Sequence, residues 1–398
     1  MPLRQCDCSL IIPTHDRRGV LDATLSRIDT LSDRVCRFEV IVVDNGSTDG
    51  TMQLAERHRN VRWIELGVNL GAAARNVGAS AARGRILLML DDDSWPMDGT
   101  LDGLVGLFDR RPDLGAAACR VRLAEPPHKH DAGGVPGIFF NCGGAVRREA
   151  FQEAGGYPID FDYYVEEYDL CCRLWQNGWR VEPRGDLLVW HGRVSKNRDN
   201  NRMLRLLVRN NLRLWARYAP ADELSDCIEM TVERYRRVAE KEHAVAGFYA
   251  GLEEGRSELA GHSVRRRPLS SEQFENLFGL TATRDALRVW ADNHRVRTVA
   301  VWSRGKGCEQ LLTLLRSLRI SVDGVYDRAV SGHSWRGVPL RREDRFDARS
   351  IDGIVVGSLS PGVAEDIAEE LRERLRGVPI LSAAPWMSRE AECLAIPA

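Results

Sequence analysis

The stretch Arg85–Asp93, R-I-L-L-M-L-D-D-D, decides the fold of this chain. An apolar run, Ile86–Leu90, leads directly into three carboxylates, Asp91, Asp92 and Asp93. A short continuous apolar run predicts a strand that is buried on both faces of a parallel sheet. Ligands of open α/β sheets bind at the carboxyl ends of the strands, which is where these acids stand. Taken alone, the acids fit a solvated turn as well as a site for a hard divalent cation.

Strands and helices alternate before this stretch. Apolar runs predict strands at 8–13, 38–43 and 61–66, and helices are expected at 19–31 and 69–82. Such β-α-β-α-β alternation predicts a parallel sheet with helices on both faces. After the acids we expect a strand at 114–123, helices at 148–154 and 160–178, and a short strand at 187–190.

Composition narrows the class of protein. The chain has 398 residues, of which 43% are apolar and 28% charged, so it is long enough for two or more domains. A net charge of −1 gives no support to nucleic-acid binding. The cysteines form no CxxC pair, the N-terminus resembles no signal peptide, and no apolar run is long enough to span a bilayer. We therefore expect a cytoplasmic protein, with any membrane contact peripheral and at the inner face.

The C-terminal part follows a second pattern. Residues 221–293 predict helices, and a new α/β alternation that begins at Val296 predicts a small Rossmann-like domain. Its first turn, S-R-G-K-G-C at 303–308, is a degraded G-x-G-x-x-G motif, since Ser303 and Cys308 replace the outer glycines. Asp327 stands where a ribose-binding acid is expected. With two glycines missing, a scaffold, oligomerisation or regulatory role is favoured over dinucleotide binding.

Four segments together resemble a known family. They are S-L-I-I-P-T-H-D-R at 9–17, V-I-V-V-D-N-G-S-T-D at 40–49, N-L-G-A-A-A-R-N at 69–76 leading into the acids, and Y-Y-V-E-E-Y-D-L-C-C-R-L at 163–174 followed by V-W-H at 189–191. In this order and spacing they resemble the family 2 glycosyltransferases. The resemblance covers about the first half of the chain. It implies an α/β fold of the GT-A (nucleotide-diphospho-sugar transferase) type over 1–220. The patterns of the C-terminal part predict a helical connector over 221–293 and the Rossmann-like domain over 294–398.

The resemblance also implies a donor site. Asp91 and Asp93 match the family's DxD pair, and His191 matches a histidine that completes the metal shell or contacts the diphosphate. The expected cofactor is Mn2+ or Mg2+, which suit oxygen-rich sites and stabilise a diphosphate leaving group. The residues implied in nucleotide-sugar binding are Pro13, Thr14, His15, Arg17, Asp44, Asn69, Arg75, Asn76, Asp91 and Asp92. Three alternatives stay open: Asp44 as a plain Asx-turn acid, Arg75 as a helix-surface ion pair, and Asp92 as a bystander.

The acceptor side follows from the same resemblance. Family members carry E-D-x-D-L before a helix, and this chain has Glu166-Glu167-Tyr168-Asp169-Leu170, so Glu167 stands where the family has aspartate. An acceptor hydroxyl needs a general base. The longer side chain leaves open which of Glu166 and Glu167 is that base. Asn141, Gly143 and Gly144 fall where the family places acceptor-side backbone.

These inferences define the expected function. We predict a metal-dependent, inverting glycosyltransferase that moves a sugar from a nucleoside-diphosphate sugar to an acceptor hydroxyl of a glycan, a lipid-linked or a small-molecule acceptor. One alternative is a sugar nucleotidyltransferase, but that class needs a Gly-rich loop after the first strand, and P-T-H-D-R at 13–17 is not such a loop. The other alternative is a non-catalytic nucleotide-sugar-binding protein. Arginines at 202, 205, 209, 213 and 217 form a helical stripe, interpreted as a solvated face or a surface for anions or membrane. Homo-oligomers also stay open. If His191 is functional, Arg193, Ser195, Lys196 and Arg198 are expected to cover the diphosphate as a mobile lid.

Overall fold

The computed structural model describes residues 6–32, 35–131, 133–193, 199–261, 264–328, 330 and 332–384. Within them the chain forms two compact units. The first unit comprises Met1–Cys119, Phe139–Val181 and Leu187–Phe274, and the second comprises Arg120–Ile138, Glu182–Asp186 and Glu275–Ala398. The domain boundaries given above from the sequence stay predictions.

The strands alternate with helices in the order expected of an α/β protein. The first eight strands are β1 (Cys8–Thr14), β2 (Phe38–Asp44), β3 (Val61–Glu65), β4 (Ile86–Met89), β5 (Ser94–Pro96), β6 (Leu114–Leu123), β7 (Gly144–Arg147) and β8 (Arg180–His191). The helices are α1 (Arg18–Ile28), α2 (Ala74–Ala81), α3 (Thr100–Arg110), α4 (Arg148–Glu153), α5 (Glu166–Gln176), α6 (Asn200–Tyr218), α7 (Leu224–Lys241), α8 (Val245–Ala260), α9 (Ser271–Phe278) and α10 (Leu280–His294). Short 3-10 turns lie at Thr51–Glu56 and Gly71–Ala73.

The first sheet has the order β3-β2-β1-β4-β7-β6-β8-β5. Strands β1 to β4 pair in parallel, as the alternation predicts, whereas β7 pairs antiparallel with β4 and with β6. Leu10, Val42 and Leu88 belong to a core that also includes Leu25 of α1 and Leu104 of α3. The α/β fold predicted from the sequence is therefore confirmed, with a mixed sheet.

Helix α2 covers the opposite face of the sheet at close range. A Cβ on Gly78 would lie 2.6 Å from Ile11 Cγ2, so glycine allows this approach. The predicted helix over 69–82 is shorter than expected, because Asn69 Oδ1 accepts the Gly71 N–H at 2.8 Å and Gly71 takes a φ of +59°. Strand β8 is longer than the predicted 187–190, since Pro183 and Gly185 do not interrupt it.

The second unit contains its own, mostly parallel sheet. Its elements are β9 (Thr298–Trp302), α11 (Cys308–Ser317), β10 (Ser321–Asp327), β11 (Ser334–Trp335), β12 (Val338–Arg342), β13 (Gly353–Val356), α12 (Pro361–Arg374) and β14 (Ile380–Ser382). The order is β11-β12-β10-β9-β13-β14, with antiparallel pairing at β11 alone among these strands. The parallel strands thus follow the order of doubly wound sheets. Among the described helices, none combines the length and apolarity needed to cross a bilayer.

Candidate active site

The register of the first sheet brings the predicted donor residues to one edge. Thr14 lies opposite Asp44 across β1 and β2, and Ile11 lies opposite Met89 across β1 and β4. Leu90 continues the pairing by donating its N–H to Ile11 O at 3.1 Å. The chain then turns at Asp91. We call the carboxyl ends of β1, β2 and β4 the donor edge, and it is where α/β sheets bind ligands.

Asp92 is held inside the protein. Thr14 Oγ1 donates to Asp92 Oδ2 at 2.9 Å, and Arg17 Nε forms an ion pair with Asp92 Oδ1 at 3.0 Å. Burial raises the pKa of Asp92 to about 7, although the Arg17 guanidinium opposes that rise. Both oxygens thus have partners within the chain, as expected of a bystander.

Asp91, Asp93 and His191 form a cluster that fits a divalent cation. One ligand atom from each lies within 4.8 Å of the others. His191 reaches the cluster because Ser94 pairs with His191 between β5 and β8, and Gly192 N donates to Asp93 O at 2.7 Å. The distance from His191 Nε2 to Asp93 Oδ1 is 3.2 Å. Two carboxylates and one imidazole are donors that suit manganese, and the carboxylates suit magnesium.

Arginines neutralise the same carboxylates. Arg17 NH2 donates to Asp93 Oδ2 at 2.8 Å, and Arg75 NH2 donates to Asp91 Oδ1. Arg75 is completely buried, so the alternative of a helix-surface ion pair is wrong. Burial lowers the pKa of Arg75, but Asp91 raises it, and the net shift is upward. Arg75 Nε and NH1 have no hydrogen-bond partner among the described residues.

The nucleotide side of the donor edge is formed by the turn after β2. Asp44 Oδ1 accepts the Ser47 N–H at 3.1 Å and the Ser47 hydroxyl, which is an Asx turn. Asp44 Oδ2 is buried and has no hydrogen-bond partner in the described part of the chain. The Asx turn therefore uses one oxygen and leaves the other for a ligand. His15 lies next to this turn, with Nδ1 at 3.0 Å from Asn45 O.

Three of the other predicted donor residues have local roles. Pro13 lies within β1 opposite Val43. Asn69 is exposed and bonds to the Gly71 N–H as described above. The Asn76 amide bonds both ways to the Tyr157 main chain, at 2.9 Å to its O and 2.8 Å from its N. Asn76 thus fastens α2 to the segment that leads to the acid pair.

The acid pair begins α5, and both carboxyls are buried. Acidic residues stabilise the first turn of a helix. Glu166 Oε1 accepts the Asn141 Nδ2–H at 2.7 Å, and Asn141 Oδ1 accepts the Tyr157 O–H at 2.6 Å. Glu166 Oε2 has no hydrogen-bond partner among the described residues. Burial and the neighbouring Glu167 raise the pKa of Glu166 well above its usual range.

Gly143 and Gly144 lie where the chain enters β7. Gly144 pairs with Met89 next to the donor edge, and a Cβ on Gly144 would lie 2.1 Å from the Phe139 ring. Gly143 O accepts the Cys119 N–H at 3.0 Å. Both positions are therefore explained by main-chain pairing and close packing, and their role toward an acceptor stays a prediction.

Sequence reasoning missed two tyrosines that border the site. Tyr157 bonds to Asn141, and Tyr163 lies near Asp91, whose charge together with burial raises the pKa of the Tyr163 hydroxyl well above its usual range. Tyr163 was missed because residues 160–178 predict one helix, whereas α5 begins only at Glu166, since Asp162, Tyr164 and Val165 have φ values of 64°, 66° and 72°. Tyr157 lies before that segment and belongs to none of the four motifs.

The arginine stripe on α6 is paired with acids and is solvated only in part: Arg202 and Arg205 are exposed, whereas the other three arginines are mostly buried. Arg205 pairs with Glu254 at 2.6 Å, and Arg213 pairs with Glu258. Of the other three arginines, Arg202 pairs with Asp162, Arg209 with Glu254, and Arg217 with both Asp160 and Asp169. The stripe therefore joins α6 to α8, to the segment before α5 and to α5 itself. Of the predicted lid, 194–198 lie outside the described residues.

The degraded glycine motif of the second unit forms a closed turn. Arg304 Nε lies 3.3 Å from Asp327 Oδ2, so the acid expected at a ribose already has an ion-pair partner. Gly305 N donates to Gly357 O at 2.7 Å, and a Cβ on Gly357 would lie 1.9 Å from Ser303 O. The loops after β9 and β13 thus fill the crevice in which a dinucleotide phosphate binds. Dinucleotide binding at this turn is not supported.

Comparisons with known proteins find similarity to glycosyltransferases. Residues 9–154 match the model of the family "Glycosyl transferase family 2". An uncharacterized glycosyltransferase of Haemophilus influenzae is 27% identical over 42% of this chain and 62% of its own length. The poly(ribitol-phosphate) beta-N-acetylglucosaminyltransferase TarS of Staphylococcus aureus is 31% identical over 25% of this chain and 18% of its own length. The chain therefore covers less than two thirds of these relatives.

One solved structure with a low similarity to this chain is also a glycosyltransferase. The mannosyltransferase PcManGT from Pyrobaculum calidifontis, in complex with GDP-Man and Mn2+, is 21% identical, with a TM-score of 0.44 over 72% of this chain and 82% of that chain. The architecture is a GT-A-like α/β fold. The family match and the relatives support a glycosyltransferase.

Proposed function

We propose that the protein is a metal-dependent, inverting glycosyltransferase that moves a sugar from a nucleoside-diphosphate sugar to an acceptor hydroxyl in glycan or glycoconjugate biosynthesis. The observation that carries the proposal is the cluster of Asp91, Asp93 and His191 at the donor edge. The match of residues 9–154 to the model of glycosyltransferase family 2 supports the same proposal. Neither the cluster nor the family match favours the alternatives, which are a sugar nucleotidyltransferase and a non-catalytic binding protein.

Each part of the donor edge has a role in this proposal. Asp91, Asp93 and His191 would hold Mn2+ or Mg2+, which supplies Lewis-acid stabilisation to a departing diphosphate. Arg75 fixes Asp91 through its NH2 group. Asp44 offers Oδ2, buried and without a hydrogen-bond partner among the described residues, to an N–H of the nucleobase.

The acid pair supplies the acceptor chemistry. A carboxylate of the pair would accept the proton of the acceptor hydroxyl as the oxygen attacks the anomeric carbon. One base and one in-line displacement give inversion at that carbon. Glu167 is the base by resemblance. Glu166 is the alternative base, because its Oε2 is buried and has no hydrogen-bond partner among the described residues, while its Oε1 accepts from Asn141.

Thermal-shift titration with UDP-, GDP- and dTDP-sugars, each with and without Mn2+, tests the proposal. A ligand at 100 times its Kd stabilises the folded state by about 2.7 kcal/mol, which is a measurable rise in Tm. We expect one nucleotide to give a metal-dependent rise that the double variant Asp91→Asn/Asp93→Asn loses. A metal-independent response, or none with any nucleotide, contradicts the proposal.

A further inference from the structure

The turn 161–165, which leads into the acid pair, has a backbone that depends on outside support. Asp162, Tyr164 and Val165 have φ values of 64°, 66° and 72°. The left-handed region is unfavourable for residues with a side chain, most of all for β-branched valine. Such conformations persist only where the surroundings hold them. Because Val165 directly precedes Glu166, the geometry of this turn sets where α5 and its two carboxyls begin.

Asn210 of α6 supplies that support. Its side chain is completely buried, and Nδ2 donates to the main-chain oxygens of Phe161 at 2.8 Å, Tyr163 at 3.0 Å and Tyr164 at 2.8 Å. An amide nitrogen carries two hydrogens, so three carbonyls share them. Phe161 O also accepts from Tyr163 N at 2.9 Å and from Arg209 NH2 at 3.1 Å, so the amide matters most for Tyr163 O and Tyr164 O. A carbonyl that loses its donor is unfavourable, so the amide stabilises the turn in this form.

The same turn is also fastened to the donor side. Ala72 N donates to Asp162 O at 2.9 Å. A Cβ on Gly71 would lie 2.3 Å from Asp162 O, so glycine allows the two segments to meet. Ala72 lies in the 3-10 turn that leads into α2, the helix that carries Arg75. The turn 161–165 therefore connects α6, the Arg75 helix and the acid pair.

We propose that Asn210 is a positioning residue for the transfer reaction, because it holds the turn 161–165 and thereby fixes Glu166 and Glu167 relative to the donor edge. The catalytic part of this inference rests on the proposed function. The ordering of the turn by Asn210 does not. Misplacement of a catalytic group by about 1 Å can reduce a rate by about 100-fold. Asn210 itself touches no reacting atom in this scheme.

Asn210→Leu tests the inference, since leucine is similar in size and has no donor. Asn211→Leu is the matched control. Asn211 is on the same helix and is 8% exposed, and its Nδ2 donates to Leu207 O at 2.8 Å and Tyr235 Oη at 3.2 Å rather than to the turn. We expect Asn210→Leu to lower kcat by about 100-fold. The donor KM and the metal-dependent thermal shift should stay at wild-type values. Asn211→Leu should keep the wild-type kcat.

Hydrogen exchange provides a readout that needs no turnover. The N–H groups of Tyr163, Tyr168 and Asp169 bond to carbonyls of the turn. Their exchange should become faster in Asn210→Leu and stay unchanged in Asn211→Leu. If the wild type transfers no sugar, the proposed function fails, while this measurement still decides whether Asn210 orders the turn.

Two results would overturn the inference. One is unchanged exchange at 161–169 in Asn210→Leu, because the turn would then not depend on the amide. The other is faster exchange with an unchanged kcat, because the turn would then not position the base. If Asn210→Leu fails to fold, Asn210→Ser replaces it. Serine keeps one hydroxyl donor, and we expect exchange and kcat between those of the wild type and those predicted for leucine.

Discussion

The carboxyl ends of the two sheets occupy equivalent places in their units but differ in how their polar groups are satisfied. At the donor edge, Asp44 Oδ2 and two nitrogens of Arg75 are buried without hydrogen-bond partners among the described residues. In the second unit, Asp327 is paired with Arg304, and Gly305 N bonds directly to Gly357 O. The first edge thus offers these groups to a ligand, whereas the acid and the glycine N–H named in the second unit bond within the chain.

The difference shows that strand order alone does not identify a binding site. Both sheets place loops where α/β proteins bind ligands. A buried polar group without a partner costs about 1–3 kcal/mol, so its retention calls for an explanation. A ligand that supplies the missing partners is such an explanation at the donor edge. The predictions below test this contrast.

The largest effect is expected from the acid pair. Loss of a general base typically lowers kcat by about 10²–10⁴-fold. We expect Glu167→Gln to lower kcat by that amount without changing nucleotide affinity, because Glu167 stands where the family has its base. Steady-state transfer assays give kcat, and nucleotide titration gives the affinity.

Glu166→Gln is the matched variant for this prediction. Glutamine keeps the oxygen that accepts from Asn141, so the local bonds persist. A smaller decrease in kcat is expected than for Glu167→Gln. If Glu166→Gln abolishes transfer while Glu167→Gln stays active, Glu166 and not Glu167 is the general base. If both variants stay active, neither residue is the general base.

The second prediction compares one acid from each sheet. Asp93→Asn should lower kcat by about 10²–10³-fold, the range for loss of a group that stabilises developing charge. Asp327→Asn, at a strand end of the second unit, should leave kcat unchanged. Both variants are assayed across a Mn2+ titration, because loss of a ligand should also raise the metal concentration that is needed.

Equal losses in the two variants would remove the contrast between the edges. A normal kcat in Asp93→Asn would show that Asp93 holds no essential cation. Thermal melts of both proteins identify any loss that comes from unfolding instead.

The sequence predicted the strands of the donor edge because their signals are local. The run Ile86–Leu90 and the acids after it define a buried strand and its end, and the parallel register then places Thr14 beside Asp44. The Asx turn at Asp44, which the sequence left open as an alternative role for this acid, is present. Local patterns suffice where neighbouring strands in the chain are also neighbours in the sheet.

The remaining parts of the site depend on contacts between distant segments. His191 reaches Asp93 through the pairing of β5 with β8, and the three-residue strand β5 has too little pattern to predict. The start of α5 depends on left-handed residues that Asn210 stabilises from 46 to 49 positions away. Likewise, the acids that pair with the α6 arginines lie on α8, on α5 and in the segment before α5, so the sequence of α6 alone cannot show that its arginines are neutralised.

The third prediction concerns the nucleotide. Asp44→Asn replaces the buried Oδ2 by an NH2 group in one of its orientations, while the other oxygen still accepts from Ser47. A hydrogen bond to a charged group contributes about 1.5–3 kcal/mol, so we expect nucleotide affinity to fall by about 10–100-fold. Isothermal titration with the nucleotide identified by thermal shift measures this change.

Ser47→Ala is the control for that measurement. It removes the hydroxyl bond to Oδ1 but leaves Oδ2 in place, so it should weaken binding much less. If the two variants lose affinity equally, the turn geometry rather than the open oxygen governs binding. Wild-type affinity in Asp44→Asn would show that Asp44 is a plain Asx-turn acid.

The smallest expected effect is on thermal stability. Replacing a carboxyl by its amide should raise Tm in the first unit and lower it in the second. Burial and Glu167 raise the pKa of Glu166, so the stability that its proton provides is present below about pH 4.3 and is lost as pH rises. Burial raises the pKa of Asp366, but His130 lowers it, and the net shift is downward. The stability that the ionised Asp366 carboxylate provides is therefore present above about pH 3.9 and is lost as pH falls. In metal-free melts, Glu166→Gln should therefore gain Tm relative to the wild type from pH 5 to pH 8. Asp366→Asn should be less stable than the wild type at pH 7, by a margin that holds down to about pH 4 and shrinks below it. Differences of the same sign in both variants would contradict the contrast between an open and a satisfied carboxyl.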